Sequence, residues 1–317
     1  MPTATLDVLG IGNAIVDVIA TAEEAFLERH GMTKGAMMLI DEPRAELIYA
    51  AMGPATITSG GSAGNTVAGI ASLGGATGYI GKVRNDGLGH AFRHDITATG
   101  AVFRTPAATD GPATARCLVL VTPDTERTMN TFLGACVNLT PGDIDADLIR
   151  SAQVTYLEGY LYDERHAKDA FHKAAEIAHA AGRKVGLSLS DTFCVQRHHA
   201  DFMRLVDHHV DVLFGNEAEI EALLGTTTID DAVDHLRRLT DLAVVTRDAR
   251  GSVIVTPDAV IHVPAVAATV VDTTGAGDAY AAGFLYGLTR ALPLFECGHI
   301  GSTAAAEIIS HIGARRQ

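Results

Sequence analysis

The sequence predicts an α/β protein: a doubly wound, mostly parallel sheet flanked by helices, with a small β lid inserted into it. Three observations carry this expectation. Short apolar runs alternate with helical patterns through the second half of the chain. Glycine-rich turns stand where such runs give way to helices. Two stretches of the first half, residues 13–57 and about 101–135, break the rhythm with short strand-like pieces.

Each element follows from its local pattern. "LDVLGIG" (6–12) reads as a buried strand, as do "VTYLEG" (154–159), "KVGLSLSD" (184–191), "VDVLFGN" (210–216) and "LAVVTRD" (242–248). Between them, Ala170, Phe171, Ala174, Ile177 and Ala178 fall on one face of a helix, and Ile220, Leu223 and Leu224 on one face of a shorter one. Strands joined by helices make parallel βαβ units. Ligands of such sheets sit at the carboxyl ends of the strands, so the polar residues to watch there are Asn13, Asp17, Asp191, Asn216 and Glu219. "AMMLI" (36–40) and "ARCLVLVT" (115–122) supply strands for the lid. One domain, 1–317, is expected, with the lid threaded into it.

Bulk composition narrows the function. The 317 residues are 47% hydrophobic and 20% charged, with a formal charge of −14. Mean hydropathy is +0.18, that of a compact globule. The negative charge argues against nucleic acid or an anionic membrane as partner, yet leaves room for a small anion held by local donors. Four cysteines lie far apart without a C-x-x-C pair, which reads as reduced thiols in a cytoplasmic protein. No signal peptide and no membrane span are expected. His198-His199 and His208-His209 lack metal-ligand spacing and read as exposed helix residues.

Two glycine clusters carry the chemistry. In "DTTGAGDAYAAGFLYGL" (272–288), Gly275, Ala276 and Gly277 open a helix and Asp278 follows them. Free N–H groups at a helix start, bare of side chains, make an anion site. An acid beside that site is either an N-terminal cap or a base that takes a proton from an attacking hydroxyl while the turn holds the developing charge. The second cluster, "SGGSAGNTVAGIASLGG" (59–75), offers Gly60-Gly61 for close backbone approach and Asn65 as donor and acceptor to a hydroxyl pair; alone it reads as a turn and a helix contact. Neither a P-loop nor a dinucleotide fingerprint is complete: Ala76 stands where the P-loop needs glycine, and Ile15 where "GIGNAI" (10–15) would need its third.

Together these segments resemble the ribokinase-like (phosphofructokinase B) family of sugar and nucleoside kinases along essentially the whole chain. "DTTGAGD" matches its C-terminal signature, Gly60, Gly61 and Asn65 its N-terminal one, Asn216 and Glu219 its N-x-x-E, and Gly12, Asn13 and Asp17 a G-N-x-x-x-D. The resemblance implies ATP as phosphoryl donor. It implies Asp278 as general base, the backbone of Gly275, Ala276 and Gly277 as anion hole, and Asn216 with Glu219 as organisers of Mg²⁺ through its waters. Asn13, Asp17, Gly60, Gly61 and Asn65 would meet the sugar hydroxyls, and Thr246, Gly251 and Thr273 the nucleotide. Many relatives add a K⁺ site behind the anion hole.

Within the family the chain is most similar to the adenosine kinases, on "GNAIVDV", "FGNEAEIEAL" and "ERTMNTFLGACVNL" (126–139). "SLSDTFCV" (188–195) stands where sugar-specific members carry a D-x-N-x-R type sequence. The resemblance implies transfer to the 5′-hydroxyl of a purine ribonucleoside, adenosine first. It implies Arg127 as a lid arginine turned to the phosphates, against a plain surface pair with Glu126 or Asp124. Leu133, Ala135 and Cys136 would line an apolar base pocket, against lid packing. Tyr160, then Phe193, are the aromatics to stack on the base. A sugar kinase of ribose or fructose type is the alternative, and a non-catalytic nucleoside-binding regulator a further one. Monomer and homodimer both stay open.

Overall fold

The computed structural model describes residues 4–163 and 165–315. Fourteen strands lie among them: β1 (Leu6–Ile11), β2 (Ile15–Thr21), β3 (Met37–Leu39), β4 (Thr56–Ser59), β5 (Thr77–Ile80), β6 (Val102–Phe103), β7 (Ala115–Val121), β8 (Arg127–Phe132), β9 (Ala152–Glu158), β10 (Lys184–Ser188), β11 (Val212–Asn216), β12 (Leu242–Thr246), β13 (Ser252–Val255) and β14 (Val260–Val263). Nine form a main sheet in the order β14-β13-β12-β11-β10-β9-β1-β5-β6. It is parallel from β12 to β6, and β13 and β14 add an antiparallel edge. The predicted doubly wound sheet is therefore present.

Helices cover both faces because the central strands are apolar on both sides. On one face Leu157, Leu187 and Val245 pack with Phe171 and Phe202. In the helix Arg165–Ala180, Ala170, Phe171, Ala174 and Ala178 are fully buried and Ile177 is half-buried, as its periodicity predicts. On the other face Val8, Val154 and Val244 meet Val67 and Ile70 of the helix Ser62–Ser72 and Phe284 and Leu285 of the helix Ala276–Leu288. These two helices touch closely: a Cβ added at Gly69 would lie 2.8 Å from the Cβ of Ala282. A third helix, Leu294–Ile308, closes on Gly283, where an added Cβ would lie 2.7 Å from the Ile300 carbonyl oxygen.

Five strands form a second, smaller sheet in the order β3-β8-β7-β2-β4. Its strands come from the two stretches that break the rhythm, with three differences. The first stretch also holds the helices Glu24–Arg29 and Glu42–Ala51, the latter capped by Asp41, whose carboxylate accepts the Arg44 N–H at 2.9 Å. β4 begins at Thr56 and runs to Ser59. The second stretch starts with β6, which pairs with β5 in the main sheet, because Phe103 packs edge-on to Tyr79 and Phe92. Among the described residues no helix is long and apolar enough to cross a membrane.

Candidate active site

The chain leaves β1 toward β5 and β6 on one side, and later adds β9 to β14 on the other, so the strand order reverses between β1 and β9. That reversal opens a crevice at the carboxyl ends of the strands. A cleft of about 1360 Å³ starts there and runs to the small sheet. Asn13, Asp17, Gly61, Asn65, Arg127, Leu133, Tyr160, Phe193, Asn216, Glu219, Thr246, Thr273 and the turn Gly275–Asp278 all line it. Residues 265 positions apart thus meet in one cavity, as the two glycine clusters require.

Asp278 lines the cleft at the start of a helix. The helix starts at Ala276, and Gly275 is its cap residue, in the left-handed conformation (φ +79°) that glycine adopts without strain. The oxygens of Asp278 turn away from this cap to the neighbouring helix. Its Oδ1 accepts the Ser62 hydroxyl at 2.6 Å and its Oδ2 the Asn65 amide at 3.0 Å. Both donors sit on the first turn of the neighbouring helix. Burial pushes the Asp278 carboxyl up to about 6, against the pull of Ser62, Asn65 and the Arg315 charge. Capping, the first of the two readings open in the sequence, therefore does not account for this acid.

Asp17 lies inside β2 on the small sheet. A Cβ on Gly60 would come within 2.5 Å of its carboxylate, so the glycine is what lets the loop pass over it. Burial lifts Asp17 to about 6; Arg315 and Arg127 lower it and Asp278 raises it. Asn65 is committed on both sides, its Oδ1 accepting from Arg315 Nε at 2.9 Å. Asn13 is buried, and its amide nitrogen donates to Glu158 at 3.0 Å.

Glu158, at the end of β9, was not foreseen. It is 1% exposed and also accepts the Ala63 N–H at 2.8 Å. Burial lifts it to about 7, against the Ala63 and Asn13 hydrogen bonds. The acid satisfies the N-terminus of the helix Ser62–Ser72 from outside, a role its place after an apolar strand could have flagged.

At the far end Asn216 and Glu219 form a capping box on the helix Glu217–Leu224. Glu219 accepts the Asn216 N–H at 3.0 Å and its side-chain amide at 2.7 Å, and the Glu219 N–H returns to Asn216 Oδ1 at 2.9 Å. Burial pushes Glu219 up to about 7; the Asn216 N–H opposes this and Asp191 adds to it. Carboxylate and amide oxygens already engaged in hydrogen bonds fit Mg²⁺ held through its waters rather than directly.

Three placements differ from the sequence reading. Arg127 pairs with neither Glu126 nor Asp124. Its guanidinium meets Asp272 at 2.8 Å, and Lys34 takes Asp124 at 2.5 Å. Both Arg127 and Asp272 are largely buried, which joins the small sheet to the loop ahead of Asp278. Ala135 and Cys136 do not reach the cleft. They are fully buried in a short 3-10 turn, where the Cys136 thiol donates to the Leu133 carbonyl at 2.8 Å. Gly251 is also away from the cleft: it turns β12 into β13 at φ +82°, where an added Cβ would strike the Val263 carbonyl oxygen at 2.0 Å. Tyr160 is 39% exposed, and its hydroxyl is pushed up first by burial, then by Asp191, Glu219, Asp278 and Glu158. It lines the same cleft as the small sheet. The rings of His172 and His179 each contact that of His209, outside the cleft.

Residues 43–317 match the profile of the pfkB family carbohydrate kinase. The adenosine kinase of Saccharomyces cerevisiae is 27% identical over 98% of this chain and 96% of its own length. Among solved structures, the adenosine kinase from Sinorhizobium meliloti superposes with a TM-score of 0.91 at 51% identity, covering 99% of this chain and 96% of that one. A probable sugar kinase protein from Rhizobium etli gives the same TM-score of 0.91 at 46% identity and the same coverage, 99% and 96%.

Proposed function

The chain belongs to the pfkB family of carbohydrate kinases, a phosphotransferase acting on a hydroxyl group, and we propose that its acceptor is the 5′-hydroxyl of a purine ribonucleoside, adenosine first. ATP use follows from the family. The finer reading rests on one observation: the small sheet turns Ile19, Met37, Leu39, Val119 and Met129 toward the cleft that holds Asp278, with Leu133 just beyond β8. A base has apolar faces to bury there, whereas a free sugar would leave these side chains facing hydroxyls. The 51% identity to the Sinorhizobium meliloti adenosine kinase supports it.

The chemistry then runs on the residues of the cleft. Asp278, near 6, is mostly ionised at neutral pH yet basic enough to take a proton. Ser62 and Asn65 aim its carboxylate. It accepts the proton of the 5′-hydroxyl as that oxygen bonds to the γ-phosphorus; the bond from phosphorus to the bridging oxygen breaks, ADP leaves, and the proton passes to solvent. The Ala276 N–H already donates to the Thr273 carbonyl at 3.2 Å, so the N–H groups of Gly275, Gly277 and Asp278 are the ones that would face the charge on the transferring group. Asn216 and Glu219 would hold Mg²⁺ through its waters, where the ion neutralises phosphate charge. Asp17 and the Gly60-Gly61 loop hold the ribose, and the small sheet acts as a lid that keeps water out.

A coupled assay of ADP release tests this with Mg-ATP against adenosine, inosine, guanosine, cytidine, ribose and fructose. Turnover confined to purine nucleosides is the expected result. The Rhizobium etli neighbour favours the second reading, a sugar kinase. Turnover with ribose or fructose and none with nucleosides would establish it and return the apolar face to lid packing.

A further inference from the structure

Residues 309–315 follow the last helix and lie across the loops that carry both glycine clusters. The N–H groups of Val271 and Asp272 donate to the Ile309 carbonyl at 2.8 and 3.3 Å, and the Gly313 N–H donates to Asp272 Oδ2 at 2.8 Å. Ala314 packs on Gly275 so closely that an added Cβ there would lie 2.6 Å from it. Arg315 then passes under the other loop. Its Nε donates to Asn65 Oδ1 at 2.9 Å, Nη1 to the Ser59 hydroxyl at 2.5 Å, and Nη2 to the Gly60 carbonyl at 3.4 Å. No motif of the sequence marks this residue.

We propose that Arg315 is a positioning residue for the phosphoryl transfer, fixing the Asn65 amide so that its N–H side faces Asp278 and setting a cation against that carboxylate. The logic is that of an amide with two unlike ends. A guanidinium can only donate, so it demands the Asn65 oxygen and leaves the NH₂ for Asp278. Without Arg315 the amide is free to turn, and its oxygen would then face a carboxylate. The groups facing Asp278 are Asp17 on β2, Tyr156 and Glu158 on β9, Tyr160 beyond it, and Arg315; of these Arg315 carries the positive charge. Arg127 faces Asp17 and is taken by Asp272. The proposal rests on Asp278 as the base.

The test is a titration of the Asp278 carboxyl by ¹³C NMR in the full chain, its signal assigned by its loss in Asp278→Asn. In Arg315→Met the midpoint is expected to rise by about 1 pH unit, the effect of losing a nearby opposite charge. Arg315→Lys, which keeps the charge, is expected to recover at least half of that shift. An unmoved midpoint in folded Arg315→Met overturns the proposal, and Arg315→Gln carries the same comparison if the Met variant does not fold. The readout needs no substrate, so it decides about Arg315 even if the wild-type chain ignores nucleosides, an outcome that would sink the proposed acceptor alone. Kinetics add a second readout: turnover of Arg315→Met is expected to fall about threefold at pH 6.5 and hardly at pH 8.5, as a 1-unit shift requires. A merely structural loss would be equal at both.

Discussion

Asp278 and Glu219 occupy the same place on two helices. Each is the third residue, in Ala276–Leu288 and Glu217–Leu224, and each faces the same cleft. Glu219 folds back onto Asn216 and becomes half of a capping box. Asp278 reaches across to Ser62 and Asn65, more than 200 residues away in the chain. The difference begins one residue before each helix. Asn216 offers a side chain to clasp, and Gly275 offers none and holds a left-handed turn. Both acids are lifted by burial, but Glu219 is closed onto its own helix whereas Asp278 is aimed by donors from another one. The same helical position thus yields a structural clasp or a reactive group, according to the cap residue ahead of it.

Three substitutions probe this contrast, the largest effect first. Asp278→Asn is expected to lower kcat by about 10²–10⁴-fold with the nucleoside KM little changed, in steady-state assays. Near-normal kcat would end its role as base. The same variant carries a stability signature. Burial raises the folded Asp278 to about 6, above its ordinary value of 3.8, so the folded state holds the extra proton between those values. That stability is present below 3.8 and lost as pH rises through 6. Melting curves of Asp278→Asn are therefore expected to gain on wild type from pH 4 to pH 7.

Gly275→Ala keeps the acid and disturbs the turn. A methyl group in the left-handed conformation, pressed against Ala314, is expected to cost about 1–3 kcal/mol of stability. Turnover is expected to fall about 10–100-fold as the N–H groups lose their aim, somewhat less than for one lost oxyanion donor. Wild-type turnover would show that the turn does not set Asp278 free.

Asn216→Ala is the mildest. Loss of the cap is expected to cost about 1 kcal/mol in denaturant unfolding. The Mg²⁺ concentration for half-maximal rate should rise several-fold while kcat at saturating Mg²⁺ stays within a few-fold of wild type. A collapse of kcat equal to that of Asp278→Asn would erase the distinction between the two acids.

Local patterns made much of the fold legible. The strands β1, β9, β10, β11 and β12 and the helix Arg165–Ala180 stand where period and turn residues place them. Fixed spacings likewise brought Asp278, Asn65, Asn216 and Glu219 to one cleft. What escaped depends on contacts between distant segments. Ala135 and Cys136 share the apolar character of a base pocket and of a core, and only packing separates the two. Gly251 serves a hairpin rather than a ligand, which its neighbours in sequence do not reveal. Arg127 finds Asp272, 145 positions on, because folding brings the small sheet against that loop. Glu158 was within reach: it follows an apolar strand as Asn216 does. Arg315 was not, since nothing near it in sequence hints that Asn65 waits 250 residues back.

The close crossings of the helix Ala276–Leu288 have a genetic consequence. Gly69 meets Ala282 on one flank, and Gly283 meets Ile300 and Gly301 on the other, with no room for a methyl group at either glycine. A larger residue at position 69 or 283 would shift a whole helix, and the helix carries Asp278 at its tip. Natural variants at these glycines would therefore present as catalytic defects in a folded protein. A screen that looks only at the cleft would pass over them, although the lesion would sit a turn or more away from any substrate.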